Sequence, residues 1–453
     1  MSNDSKVFKR VLANAGTLLG GRTVNAIVSL AYIALTARGL GAVQMGVLVL
    51  INAYAQFLGD VAKFQSWQTV LQYGTKPLLT GDRPGFQQVL RFTLLLDLIG
   101  AAVGVVLGVG GALLLGSTLG WPRELAPAAA LYALSIAMMT SATSVGLLRL
   151  FDRFRFLAGE QAVSSIVRLV GCAAAFALHA PIGWFLVAWA AGTVASFFYV
   201  MGVALWDLAR RGLLKGFTFR GPTSEGLPGV WSFAWATNFS GTLDTAFTHV
   251  ITLVVGAVLG PTQAALWRVG RQVADGMAKP AKLLTPALYP ELAKMRATGG
   301  EAAMRKLAGQ VGLMGGGVAG VLLLVSTLFG ASILTLVMGK PFAAAAPIMT
   351  WQVAAAAIGV LALPLEPMLV SLNRAGVALR VRLVVCAVYL AALVPTIKAL
   401  GLTGAGAALV GAAAAMAMAM FWTLRRSLAR ATIVEGDEQT CAEGQNGAKG
   451  VSQ

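Results

Sequence analysis

The sequence predicts an all-α polytopic membrane protein, with about twelve transmembrane helices in two six-helix bundles around a central cationic cavity. Three observations predict it. The 453 residues are 57% hydrophobic and 12% charged, with a mean hydropathy of +0.75, whereas a soluble globular domain carries about 25% charged residues. Apolar stretches long enough to cross about 30 Å of hydrocarbon follow one another with short loops between them. One of those stretches carries Arg268, Arg271, Asp275, Lys279 and Lys282 on a single helical face.

The first six stretches run at about 11–37, 46–72, 88–116, 127–149, 160–180 and 183–206. The first holds Asn14, Arg22 and Asn25 and is too long and too polar for a cleavable signal peptide. The second carries Asn52, Gln56, Asp60 and Lys63 at helical spacing; Asp60 and Lys63, three apart, are placed to pair or to serve as a coupling site. The third contains the isolated carboxylate Asp97, and the fifth contains Arg168, a mate for one of the buried acids. The last six run at about 229–258, 264–290, 307–338, 345–372, 379–397 and 402–424. Asp244 and Glu366 are isolated carboxylates in the seventh and tenth. Pro280, Pro286 and Pro290 interrupt the eighth, and Pro364 and Pro367 the tenth, as kinks. Gly404, Ala405 and Gly406 in the twelfth suit close helix packing.

Loop charge sets the orientation. Twenty-four of the 35 basic residues fall on one side, among them Lys6, Arg83, Arg149, Arg153, Arg210, Arg305 and Arg425, and four fall on the other: Arg38, Arg123, Lys340 and Lys398. Cytoplasmic loops accumulate Lys and Arg, so both termini are expected in the cytoplasm of a multi-pass inner-membrane protein. The same asymmetry explains a net charge of +17 without nucleic acid. The longest inside loop divides the chain. The expected organisation is an N-terminal bundle at 1–206, a cytoplasmic linker at 207–228, a C-terminal bundle at 229–428 and a disordered tail at 429–453. A shift of 219 residues lays Leu40-Gly41 on Leu259-Gly260, and Asn52, Gln56, Asp60 and Lys63 on Arg271, Asp275, Lys279 and Lys282. Matched polar stripes fit two repeated bundles facing a cleft.

The eighth helix carries the chemistry. Its five charges fall within about 80° of arc and span about 21 Å. A single Lys or Arg at the bilayer centre costs about 2.5–3.5 kcal/mol, so the stripe belongs in a wet cavity, and four cations in five favour an anion there. Arg and Lys suit phosphate oxygens. The same spacing also fits internal salt bridges that hold helices together. Arg22, near the middle of its span, and Lys63 join Arg268, Arg271, Lys279 and Lys282 as candidate substrate-binding cations. Asp60, Asp244 and Asp275 are candidates for ion coupling or cavity pairing, with H⁺ or Na⁺ as the ion and no other cofactor expected. Three cysteines and two distant histidines give neither a disulfide framework nor a metal motif. No GxxxxGK[ST] motif or nucleophilic constellation is present, which points to a transporter rather than an enzyme. A membrane glycan polymerase or ligase would need a large outside loop, and the outside loops here are short.

Several stretches resemble the polysaccharide flippases of the multidrug/oligosaccharidyl-lipid/polysaccharide exporter superfamily. They are Ala37-Arg38-Gly39-Leu40-Gly41 with Gly46, the segment from Gly146 to Phe156, and the segments Val254–Gly260 and Ala265–Lys294. The resemblance implies two bundles that open a central cavity alternately to each side. It also implies a lipid-linked oligosaccharide cargo, commonly on undecaprenyl diphosphate, with membrane lipid and a polysaccharide polymerase or export apparatus as partners. Related peptidoglycan-precursor flippases carry cavity arginines in their first and eighth helices, and Arg22 and Arg271 match these by position. Twelve helices, without the extra pair of those relatives, favour a surface-polysaccharide unit. A cation-coupled small-molecule or drug exporter of the same superfamily is the alternative, although such relatives are implied to use few cavity cations.

Overall fold

Helix follows helix along the chain because each apolar run satisfies its own backbone polar groups, as a bilayer demands. The computed structural model describes the backbone of residues 2–282, 300–362, 364–365, 368–369 and 375–450. Side chains are described for 25–239, 249–276, 315–362, 364–365, 368–369 and 376–426. The expected disordered tail lies outside the described side chains.

The helices are α1 (Ser2–Ala62), α2 (Ser66–Thr80), α3 (Arg83–Leu119), α4 (Ala126–Ala133), α5 (Ala142–Leu150), α6 (Phe154–Ala177), α7 (Ile182–Arg210), α8 (Val230–Leu259), α9 (Pro261–Lys282), α10 (Gly300–Met338), α11 (Ala346–Leu361) and α12 (Ala375–Gly450). Short 3₁₀ turns at Arg123–Leu125, Leu134–Met139 and Lys340–Ala345 join some of them. Among the described residues, eight stretches are long and apolar enough to cross a membrane. Two of these, Asn25–Thr80 and Gly376–Arg426, hold 56 and 51 residues. At 1.5 Å per residue each is long enough for two crossings. Each is interrupted by a glycine outside helical geometry, Gly41 (φ 68°, ψ 179°) and Gly401 (φ 65°, ψ −144°). The fold class is the all-α polytopic one.

Gly41 and Gly260 share one backbone conformation. Gly260, between α8 and α9, has φ 87° and ψ 173°. Both lie where a side chain costs about 1–3 kcal/mol of strain. A Cβ at either would meet nothing within 4 Å, so the conformation alone demands glycine. These are the two positions that the 219-residue shift superposes, so the same turn recurs at the same place in the repeat.

Two breaks depart from the expected helices. The second expected helix stops at Ala62 and resumes at Ser66, leaving Lys63, Phe64 and Gln65 outside helix. The fourth is interrupted between Ala133 and Ala142 by a 3₁₀ segment and a two-residue gap. Both breaks lie beside α3. Its buried face is Gly100, Gly104, Gly108, Ala112 and Gly116, one small residue every fourth position. A Cβ on Gly100 would sit 2.5 Å from the Ala62 carbonyl oxygen, and one on Gly108 would sit 2.4 Å from Ile136. Small residues let the neighbouring chain approach this closely. The opposite side of α3, with Leu98, Val106 and Leu114, is exposed, as a lipid-facing surface would be.

The chain forms two compact units, Met1–Val269 with Leu334–Ala344, and Gly270–Ile333 with Ala345–Gln453. In the first, Phe86, Leu90, Leu148, Phe151, Val200 and Leu208 form a core shared by α3, α5, α7 and the short loop after α5. Asp207, beside that core and 1% exposed, receives Arg153 through two 3.0 Å hydrogen bonds, and Arg211 stands at 3.5 Å. The hydrogen bonds and the charge of Asp207 raise the Arg153 guanidinium above its ordinary pKa. This forked pair explains the basic run after α5 as a staple to α7. In the second unit, Met368, Leu369, Ala378, Met420 and Leu424 pack together. Gly406 there abuts Trp351, as its small size suggests.

Candidate functional site

The apolar helices of the first unit enclose a polar cavity. The breaks and spacings described above put it there. Gln56 sits on α1, and Lys63 and Gln65 sit in the break after it. Arg149 ends α5. Glu160, Ser164 and Arg168 recur every four residues on α6 and therefore share one face. Thr193 and Ser196 come from α7. The cavity measures about 350 Å³. Binding sites for small molecules measure about 300–1,000 Å³, so this space suits a charged head group rather than a whole glycolipid.

Three cations and one carboxylate line it: Lys63, Arg149, Arg168 and Glu160. The Arg168 guanidinium donates to Thr193 Oγ1 at 3.0 Å and reaches the Tyr32 hydroxyl at 3.5 Å. It also lies 5.8 Å from the Tyr32 ring and 5.6 Å from the Trp189 ring, and those two rings meet edge-on at 5.5 Å. Its Nε is buried without a hydrogen-bond partner. Among the described residues, no carboxylate stands within salt-bridge distance of Arg168 or Lys63. Arg149 stacks 4.1 Å above the Trp67 ring. Glu160 accepts from the Ser196 hydroxyl at 3.4 Å. Lys63 lies within electrostatic reach of Glu160, Asp60 and Asp97. A second space of about 250 Å³ shares Arg149 and Glu160 and extends along α6 past Phe154, Leu157 and Gln161. The net positive lining, held between apolar helices, is suited to water or an anion and unsuited to lipid tails.

The other expected site residues fall in different places. Asp60 faces His249 of α8 at 3.5 Å. Arg271 donates to Asp275 at 3.3 Å, the contact that a four-residue separation on α9 dictates. Arg268, one turn earlier and half-buried, belongs to the first unit, whereas Arg271 belongs to the second. Arg22, Asp244, Lys279 and Lys282 lie outside the described side chains, as does Glu366. Lys63 is thus the expected binding residue that the structure brings to this cavity, with Arg168. Arg149 and Glu160 were missed, Arg149 because it counts equally well as a cytoplasmic loop charge. The signal available was the Glu160–Ser164–Arg168 spacing, a polar stripe on an otherwise apolar helix.

No protein-family model matches the chain. The inner membrane protein YghQ of Escherichia coli (strain K12) is 31% identical over 337 residues, which cover 74% of this chain and 94% of that protein. The chain belongs to the YghQ family. Solved structures share the fold of this YghQ relative at low identity. An inward-facing multidrug-resistance MATE family transporter of the MOP superfamily superposes with a TM-score of 0.68 at 12% identity, over 90% of this chain and 94% of that one. The lipid II flippase MurJ, in an inward closed conformation, gives 0.67 at 13%, over 90% and 87%. A MOP superfamily transporter from Pyrococcus furiosus, described as having a binding pocket of reversed polarity, gives 0.59 at 13%, over 94% and 96%. The YghQ-family fold is therefore that of the MOP superfamily transporters.

Proposed function

We propose that this chain is an inner-membrane flippase that carries an anionic lipid-linked oligosaccharide, on an undecaprenyl diphosphate carrier, across the membrane for surface polysaccharide export. The single observation that carries the reading is the cavity in which Lys63, Arg149 and Arg168 outnumber Glu160. A diphosphate would neutralise that excess and give the unpaired Arg168 Nε an acceptor. The polyprenyl tail would remain in lipid while the head group crosses through water, which avoids exposing its charge to hydrocarbon. Arg22, Arg268, Arg271, Lys279 and Lys282 are the further cations proposed to bind phosphate or acidic sugar, the proposed mechanism is alternating access, and both termini would lie in the cytoplasm. Membrane lipid, a polysaccharide polymerase and export proteins are the fitting partners, and H⁺ or Na⁺ the coupling ion.

Deletion of the gene tests this against a drug exporter. The expected result is loss of a surface polysaccharide and accumulation of its lipid-linked unit on the cytoplasmic side, with drug susceptibility unchanged. Intact surface glycan together with heightened drug susceptibility would replace the flippase reading with the exporter reading.

A further inference from the structure

Two neighbouring faces of α6 line two adjoining spaces. Glu160, Ser164 and Arg168, spaced by four, line the polar cavity. Phe154, Leu157, Ala158 and Gln161, at steps of three, one and three, share the next face and line the second space of about 250 Å³. Val145 and Arg149, four apart on α5, border both spaces, as does Glu160. The two spaces therefore meet at Arg149 and Glu160.

The second space differs from the first in chemistry. Phe154 and Leu157 give it an apolar wall. Gln161 Oε1 accepts from the Asn25 amide at 3.3 Å, which leaves the Gln161 amide nitrogen to donate. Glu160 Oε1 accepts from Ser196 at 3.4 Å, and the other carboxylate oxygen has no protein partner among the described residues. The Arg149 guanidinium makes no hydrogen bond or ion pair among the described residues; the stack on Trp67 holds it in place. An amide donor, a carboxylate acceptor and an apolar wall together suit a sugar ring. Its hydroxyls donate and accept, and its C–H face is apolar. Pockets for whole small molecules measure about 300–1,000 Å³, so this space takes one ring and not a chain of them.

We propose, resting on the flippase reading for the diphosphate next door, that the second space is the subsite of the carrier-proximal sugar and that it selects a neutral sugar over a uronic acid. Charge decides the selection. Lys63, Arg149 and Arg168 against Glu160 leave the lining with an excess of two positive charges. Neither Asp60, turned to His249, nor Asp97, bound by the Thr143 amide, is part of that lining. A diphosphate esterified at both ends carries one negative charge on each phosphate and cancels the excess. No cation then remains for a carboxylate on the first sugar. A uronate there would lie beside Glu160 as an uncompensated charge held between apolar helices, which is costly. A neutral ring leaves the free Glu160 oxygen as an acceptor for a sugar hydroxyl. In Glu160→Gln the excess becomes three, and a uronate is balanced.

Calorimetry on the full-length protein in neutral detergent tests this with three synthetic farnesyl diphosphate esters: methyl, glucosyl and glucuronosyl. The methyl ester keeps the diphosphate charge and has no ring. The glucosyl ester should bind at least about tenfold tighter than the methyl ester, and the glucuronosyl ester at least about tenfold weaker than the glucosyl ester. Glu160→Gln should bring the two sugar esters within about threefold of each other. Leu157→Trp, which fills the second space, should erase the gain from the glucosyl ring. If that variant fails to fold, Gln161→Ala replaces it and should cut the gain at least about threefold. Three results overturn the inference and leave the phosphate cavity standing: equal wild-type affinity for the methyl and glucosyl esters, no wild-type penalty for the uronate, or a penalty that survives in Glu160→Gln. A glucosyl gain undiminished in the space-filling variant, or in its replacement, overturns it as well. Failure of all three esters to bind defeats the phosphate cavity and the sugar subsite with it.

Discussion

Replacing Arg168 with Met should abolish export while leaving the protein at least as stable as wild type. Arg168 has no carboxylate within salt-bridge distance among the described residues, and its Nε has no partner. Removing the charge therefore strands no buried acid, and an apolar isostere relieves a desolvation cost. The methionine fills the space beside Tyr32, Trp189 and Thr193 that the guanidinium occupies. A charge-assisted hydrogen bond is worth about 1.5–3 kcal/mol, so affinity for an anionic head group should fall about tenfold to a hundredfold. Arg168→Lys keeps a charge and loses the fork, and should fall between the two. The check is surface glycan in a complemented null strain, beside the melting temperature of the purified variants. A purely structural Arg168 would show the reverse pattern, with a lower melting temperature and unimpaired export at matched membrane levels.

Replacing Gly46 with Val should have the largest effect on folding. A Cβ at Gly46 would lie 1.9 Å from the Pro261 carbonyl oxygen and 2.9 Å from its Cα. The obstacle is backbone on both sides, so no side chain can turn away. Pro261 opens α9 immediately after the Gly260 turn, and Gly46 lies on α1 five residues after the Gly41 turn. The contact thus joins the two repeat-related turns inside the first unit. Forcing extra methyl groups into such a contact costs about 1–3 kcal/mol, and more where backbone must move. Gly46→Val should therefore lower the melting temperature well beyond Gly46→Ala. Gly110→Ala, which meets nothing within 4 Å, should leave it unchanged. Equal melting of Gly46→Val and wild type would show that the helices do not approach this closely.

Much of the fold is legible in the residues, because lipid reduces the choices to helix and turn. Long apolar runs gave the elements, and Leu40-Gly41 and Leu259-Gly260 marked turns that share one backbone conformation. The breaks at 63–65 and 134–141 were not legible. Lys63-Phe64-Gln65 contains neither glycine nor proline. At that point α3 comes close, through Gly100 against Ala62, so the interruption is a tertiary event. The cavity was only partly legible for the same reason. Lys63 and Arg168 stood out as charges within apolar stretches. Arg149 did not, because a basic residue at a helix end is also what topology alone produces. Asp97 was visible as a lone acid, but the meeting of Ser66 and Thr143 around it depends on both breaks.

The central claim is that the cavity of the first unit holds the phosphates of a lipid-linked substrate. The most direct measurement is an electron cryomicroscopy structure of the protein in a lipid nanodisc with undecaprenyl diphosphate. The account predicts phosphate density in contact with Lys63, Arg149 and Arg168, and its disappearance in Arg168→Met. A well-ordered diphosphate bound elsewhere, with this cavity holding water alone, would contradict it.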